Sequence, residues 1–305
     1  MTMTLFAYNQ EAYIRDAVEG CFAQDYAPLE IILSDDCSTD GTFAIMQEMA
    51  QAYRGPHRVI LRRNAVNMGV IAHYCDVWDS VTSDIIVLAA GDDISLPKRV
   101  STSVARLVAE PSAVLVHSGT MAIDDAGAIV GRFDPPITRD DPDPRQIAAH
   151  ASIYIGATGA FRTSFYRQFG AITQRDTFED LVLGYRAALL RGMRYMDETL
   201  VNYRVGVGVS FEHQMRRLDR TPRRIKAIRR HLGTLRQRRQ DMDRVDHPDK
   251  TAIVAFLDAQ IARTLARQQL YSDRPAFLRG LFSRRPYWYV RALSAETKFK
   301  LRLIG

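Results

Sequence analysis

The chain has 305 residues, 47% of them hydrophobic and 25% charged, with a net charge of +6; this is the balance of a globular protein with room for one large domain and an appendage. No apolar run approaches the roughly 18–20 residues of a membrane span, and the opening Met1-Thr2-Met3-Thr4-Leu5-Phe6 lacks the basic stretch of a signal peptide. Cys21, Cys37 and Cys75 are too few and too scattered for a disulfide framework or a zinc site, and they read as reduced, buried thiols of a cytoplasmic protein.

In chain order, Thr4 to Ala7 reads as a short strand. Glu11 to Gln24 reads as a helix, with Ile14, Val18 and Phe22 on one face. The apolar strand 29–34 follows, then a helix from Gly41 to Tyr53 capped by Ser38, Thr39 or Asp40. Residues 57–63 form a third strand, and Asn64 to Gly69 leads into helix 70–80. Strand 84–90 ends at Gly91-Asp92-Asp93, and Pro97 precedes a helix over 98–110. Repeated strand-then-helix units predict a mostly parallel sheet flanked by helices, with right-handed crossovers. The pattern then changes to a β-hairpin, 114–123 and 128–133, and a surface loop rich in Pro and Asp over 134–145. Residues 179–191 are helical, 194–205 return as strand, and the chain beyond Phe211 reads as helix throughout. Charge divides at the same place: residues 212–305 carry 23 Lys and Arg against 9 Asp and Glu, whereas residues 1–211 carry 18 against 26.

Acidic pairs at element ends carry the chemistry. Asp35-Asp36 ends one strand and Asp92-Asp93 another, and Glu179-Asp180 opens a helix. In an open α/β sheet such strand ends line the ligand crevice. A carboxylate there can accept from the imide N–H of uracil or thymine, and another can ligate a divalent cation and leave places for phosphates. Each motif also has a plainer reading. Asp35 to Ser38 can be a helix cap, Gly91-Asp92-Asp93 an acidic turn, and Glu179-Asp180 a first turn favoured by the helix dipole.

The run Ala7-Tyr8-Asn9-Gln10-Glu11, then Ser34 to Thr42, Asn67-Met68-Gly69, Gly91-Asp92-Asp93 and Glu179-Asp180 resembles glycosyltransferase family 2. The resemblance implies the GT-A fold over 1–211, with a nucleotide-sugar-binding half (1–110), an acceptor-binding half (111–211) and a basic helical extension (212–305). It implies an inverting transfer from a uridine- or thymidine-linked diphosphate sugar to a hydroxyl of a saccharide or lipid-linked acceptor, in bacterial O-antigen or capsule assembly. Ala7, Tyr8 and Glu11 then line the nucleoside pocket, Asp35 binds the base, and Asp36 stands by the ribose or base. Asn67, Gly91 and Asp92 complete the nucleotide-sugar site. Asp92, with Asp93 following, holds Mn²⁺ or Mg²⁺, Asp180 is the catalytic base, and Glu179 stands next to the acceptor. His117, Thr158 and Gly159 are weaker acceptor candidates. Two departures bear on the metal: the first acid of the DXD motif is replaced by Ala90, and no His follows Tyr203-Arg204.

The extension mixes Arg216, Arg217, Arg220, Arg223, Arg224, Lys226, Arg229 and Arg230 with a later aromatic stretch around Phe277, Tyr287, Trp288 and Tyr289, interleaved with Arg279, Arg284, Arg285 and Arg291. That pattern suits an anionic membrane surface on the inner face of the cytoplasmic membrane, or the diphosphate of a lipid-linked acceptor; a solvated helical bundle is the plainer alternative. Nucleic acid is not expected, because the body is acidic. A nucleotidyltransferase is disfavoured, because no Gly-rich basic loop follows the first strand, and a dehydrogenase because GxGxxG is absent. A non-catalytic nucleotide-sugar-binding protein stays open.

Overall fold

Aliphatic runs that bury both faces set out the sheet. The computed structural model describes residues 1–206, 220–283 and 286–301, and the chain divides into two units, Met1–Arg175 with Glu179–Met215, and Asp176–Phe178 with Arg216–Gly305. The first unit runs β1 (Thr2–Ala7), α1 (Ile14–Phe22), β2 (Glu30–Asp35), α2 (Thr42–Ala52), β3 (Arg58–Arg63), α3 (Val70–Ser80), β4 (Ile85–Ala90), β5 (Ile94–Ser95) and α4 (Arg99–Ala109). It continues with β6 (Leu115–Ile123), β7 (Ile129–Phe133), α5 (Pro144–Ile147), β8 (Ala160–Arg162), α6 (Thr163–Phe169), α7 (Glu179–Leu189) and β9 (Met193–Arg204).

The sheet order is β3-β2-β1-β4-β8-β6-β9-β5, with β7 paired to β6. Strands β3, β2, β1 and β4 are parallel; β8 inserts antiparallel between β4 and β6, and β6 and β9 run parallel. Period-2 alternation divides the two faces. Met3, Leu5, Ile31, Leu33, Val87 and Ala89 share a core with Ile14 and Val18 of α1, Met46 of α2 and Val104 of α4. On the other face Phe6 meets Trp78 of α3, which in turn meets Phe161 and Tyr166. Each fully buried aliphatic side chain of this core contributes about 1.5–3 kcal/mol.

Several boundaries differ from expectation, and two of the differences have a visible cause. Helix α1 starts at Ile14 rather than Glu11, because residues 9–11 bind the loop after β2 instead. Asn9 N donates to Ser38 Oγ at 2.9 Å, Gln10 N to Thr42 Oγ1 at 2.7 Å, and Gly41 N to Glu11 Oε2 at 2.7 Å. The Pro- and Asp-rich loop gives way to a helix at Pro144, whose N-cap Asp143 accepts from Arg145 N.

The second unit contains α8 (Arg220–Asp241), α9 (Lys250–Ser272), α10 (Arg274–Leu281) and α11 (Tyr287–Leu301), with a 3-10 turn at Met242–Arg244. Glu296, 1% exposed, ties three of these helices together. It accepts from Arg224 at 2.7 and 2.9 Å, from Arg267 at 2.6 Å and from Tyr271 at 2.7 Å. Burial opposes its charge, but these hydrogen bonds prevail and hold its pKa down at about 2. Part of the expected cationic surface is therefore spent internally. Arg216, Arg217, Arg284, Arg285 and the side chain of Arg220 lie outside the described residues.

Candidate active site

Register brings the acidic strand ends level. Ala7 pairs with Asp35, and Phe6 pairs with Ala90; Asp36 N donates to Ala7 O and Gly91 N to Phe6 O, both at 2.9 Å. Strand β1 sits between β2 and β4, where the connections reverse direction across the sheet. Parallel strands open a crevice at this point.

On the β2 side, Asp35 is fully buried, accepts from Ser38 N at 2.9 Å and from the Ser38 hydroxyl, and pairs with Arg63 at 3.3 Å. Asp36 is also buried. Its carboxylate accepts from Asn64 Nδ2 at 2.7 Å and from the backbone N–H groups of Met68 and Gly69 at 2.9 Å each. It therefore fixes the loop that Asn67 completes by accepting from Gly69 N at 2.9 Å. Gly69, at φ 78°, lies in the left-handed region that the entry to α3 requires. Tyr8, 45% accessible at the end of β1, is exposed here, as are Asn9, Asn67 and Met68.

At the centre, Asp92 is half-buried and Asp93 buried. Burial raises Asp92, while a Gln10 side-chain hydrogen bond and the Arg204 charge pull it back. Asp93 is raised well above the carboxylate range, by burial first and Asp92 second, and its Oδ1 accepts from Arg204 N at 2.8 Å. Arg204 backs the whole turn. It donates to Asp92 O at 3.1 Å and to the carbonyls of Asp124 and Asp125 at 2.8 and 2.9 Å, and it lies over the Tyr13 ring at 4.7 Å. A Cβ on Gly91 would strike Gln10, and would press on Ala7 and Ile14 at 3.1 Å each.

On the far side, Glu179 and Asp180 open α7. Asp180 is half-buried and its Oδ1 accepts from Leu181 N at 2.7 Å. Glu179 is buried against Gly156, where any Cβ would collide with its Oε1. Burial, and then the neighbouring Asp180, push Glu179 up to about 8. Below the ordinary 4.5 both folded and unfolded chains hold that proton. Between 4.5 and about 8 the unfolded chain releases it and the folded chain keeps it, so stability falls as pH rises. Glu179→Gln is expected to remove that decline, a gain on the order of 2–4 kcal/mol at pH 8. Melting temperature against pH checks it; an unchanged slope from pH 5 to 8 would refute the assignment.

Thr158 and Gly159 are buried in the strand approach, where Thr158 Oγ1 donates to Ile155 O at 2.7 Å and Leu88 N donates to Gly159 O at 3.0 Å. The half-buried residues of this segment are Ile155 and Gly156. His117 lies in the interior between the rings of Tyr154 and Tyr195, at 5.4 and 5.3 Å, and burial drops its pKa to about 3. It is a buried, neutral imidazole packed between two rings. Gln10 and Arg204 support Asp92, a role that nothing in the local sequence signals beyond Arg204's place in the Tyr203-Arg204 pair.

Residues 4–170 match the model described as Glycosyl transferase family 2. EpsE of Bacillus subtilis, provisionally named a glycosyltransferase, is 30% identical over 182 residues, 59% of this chain and 63% of EpsE. The chain spans less than two thirds of the curated relatives it matches, only 41% of some. Among solved structures, TarS of S. aureus (residues 1–349, in complex with UDP-GlcNAc) superposes with a TM-score of 0.61 at 16% identity, over 96% of this chain and 79% of that one. PcManGT, a mannosyltransferase from Pyrobaculum calidifontis in complex with GDP-Man and Mn²⁺, gives 0.56 at 15% identity, over 98% and 80%. These likenesses establish the fold, the GT-A arrangement.

Proposed function

Because the chain belongs to glycosyl transferase family 2, we propose that its first unit moves a sugar from a nucleoside-diphosphate sugar to an acceptor hydroxyl with inversion. The observation that carries this is the level alignment of Asp35-Asp36 and Asp92 at the ends of strands flanking β1. Helix α3 links these ends to the Glu179-Asp180 helix: its Tyr74 packs on Phe6 of β1, and its Ile71 and Cys75 pack on Val182 of α7. Asp35 and Asp36 shape the nucleoside pocket beneath Ala7, Tyr8 and Glu11. Asp180, half-buried at a helix start, takes the acceptor proton. Glu179, kept protonated by burial, serves as a neutral neighbour.

Among the described residues no three His, Cys, Asp or Glu side chains gather to cage a cation. The single half-buried Asp92 still fits Mg²⁺ or Mn²⁺, which bind through one or two carboxylates with substrate phosphates and water. A cation bound there supplies charge neutralisation for the leaving diphosphate. Asp93 gives its Oδ1 to Arg204 N and so supports the turn that carries Asp92.

UDP-GlcNAc and GDP-Man, the ligands of the two structural relatives, support the donor class without choosing the base. We assign a uridine- or thymidine-linked donor and a saccharide or lipid-linked acceptor in surface polysaccharide assembly. The test is sugar-nucleotide hydrolysis and transfer in Mn²⁺, comparing the wild type with Asp92→Ala and Asp180→Asn. No metal-dependent turnover across donors would favour a binding protein, and synthesis of the sugar nucleotide a nucleotidyltransferase.

The second unit supports an anionic partner. Leu278, Phe282, Tyr287, Val290 and Leu293 are exposed along α10, α11 and their connection, near exposed Arg279 and Arg291. Flotation is expected to show binding to vesicles of anionic lipid and none to neutral ones; equal recovery with both would remove this assignment.

A further inference from the structure

One side chain of the crevice is left unused by this chemistry: Tyr74 of α3. Its ring packs on Phe6 at 4.1 Å and on Trp78 at 5.2 Å. Phe6 pairs with Ala90 and its carbonyl accepts from Gly91 N, so this contact anchors Tyr74 to the turn that carries Asp92. Three residues earlier on α3, Ile71 packs with Ile172 and Val182. Val182 lies one turn beyond Glu179 in α7. Tyr74 thus stands between the two acidic pairs, and burial first, then the charges of Glu179, Asp92, Asp180 and Asp93, hold its phenol neutral.

The residue is half-buried, and among the described residues no hydrogen bond to its hydroxyl is found. The adjacent His73 differs: it is buried and bonded to Ser34 Oγ at 2.5 Å. A rigid, neutral hydroxyl with one donor and two acceptor positions matches a sugar hydroxyl, and adds no charge to a crevice already lined by carboxyl groups. In an inverting displacement the leaving diphosphate and the base hold opposite faces of the anomeric carbon. A group placed between Asp92 and Asp180 therefore meets the sugar itself.

We propose that the Tyr74 hydroxyl hydrogen-bonds the transferred sugar of the donor and so contributes to the choice of sugar; this rests on the assignment of the crevice as the donor site. The test is Tyr74→Phe, which keeps the packing on Phe6 and Trp78. Three readouts are compared with the wild type: melting temperature, affinity for free uridine and guanosine diphosphates in Mn²⁺, and turnover of the corresponding sugar nucleotides. The expected result is unchanged melting and unchanged affinity for the free diphosphates, with sugar-nucleotide kcat/KM reduced roughly 10- to 100-fold. A structural role or a contact to the diphosphate would lower affinity for both ligand types. Such an equal loss, or wild-type turnover by Tyr74→Phe, would overturn the inference. Asp92→Ala, measured alongside, separates that failure from a failure of the site. If wild type and Asp92→Ala bind the free diphosphates identically in Mn²⁺, the crevice is not the donor site and the inference falls with it.

Discussion

Replacing Asp180 with asparagine is expected to lower sugar transfer by roughly 10²- to 10⁴-fold while leaving donor affinity intact. An asparagine amide oxygen can still accept from Leu181 N, as the Asp180 carboxylate does at 2.7 Å, so the first turn of α7 keeps its geometry. What the substitution removes is the capacity to take a proton. Glu179 cannot stand in for it. Its carboxyl is buried against Gly156 and kept protonated up to about pH 8, so at neutral pH it already holds its proton and cannot take one from an incoming hydroxyl. Steady-state transfer, with donor affinity measured separately, checks the expectation. If Asp180→Asn transfers at the wild-type rate, the base lies elsewhere and the roles given to α7 must be reassigned.

The parallel half of the fold is legible in the sequence because its signals are local. Strand β2 is built on the apolar run Ile31-Ile32-Leu33, and α3 falls over residues 70–80, directly after the loop that ends at Gly69. Strand β8 is three residues long and inserts between β4 and β6, so neither its length nor its partners leave a periodic trace. The acidic residues are legible as residues, but not by what they bind. Asp36 spends its oxygens on Asn64, Met68 and Gly69, about thirty positions away, and Asp93 reaches Arg204 N across 111 positions. Tyr74 is legible as part of a helix. The face it presents is set by Phe6, Trp78 and the packing of Ile71 on Val182, which are tertiary facts. In the second unit, likewise, the arginine count reads as surface charge until Glu296 is seen to hold Arg224 and Arg267.

Gly156→Ala is expected to cost about 100-fold or more in transfer rate, although the residue carries no reactive group. A Cβ at this position would overlap Glu179 Oε1, come within 3.3 Å of Glu179 Cδ and within 3.7 Å of Asp180 Cβ. The glutamate is buried and cannot swing into water, so the strain passes into the first turn of α7 and displaces the Asp180 carboxylate beside it. Overpacking of this kind costs about 1–3 kcal/mol in stability, and a shift near 1 Å at a base is enough for a 100-fold loss. The effect belongs to one pair of residues, so it should show coupling. Gly156→Ala combined with Glu179→Ala removes the colliding carboxyl, and the double variant is expected to recover the stability lost on adding the methyl group. Denaturation midpoints of the four chains of that cycle, with transfer rates for each, measure the coupling. Strict additivity of the two changes, or full activity in Gly156→Ala, would mean that Glu179 does not fill the space the glycine leaves, and the link from the segment before β8 to the base would be lost.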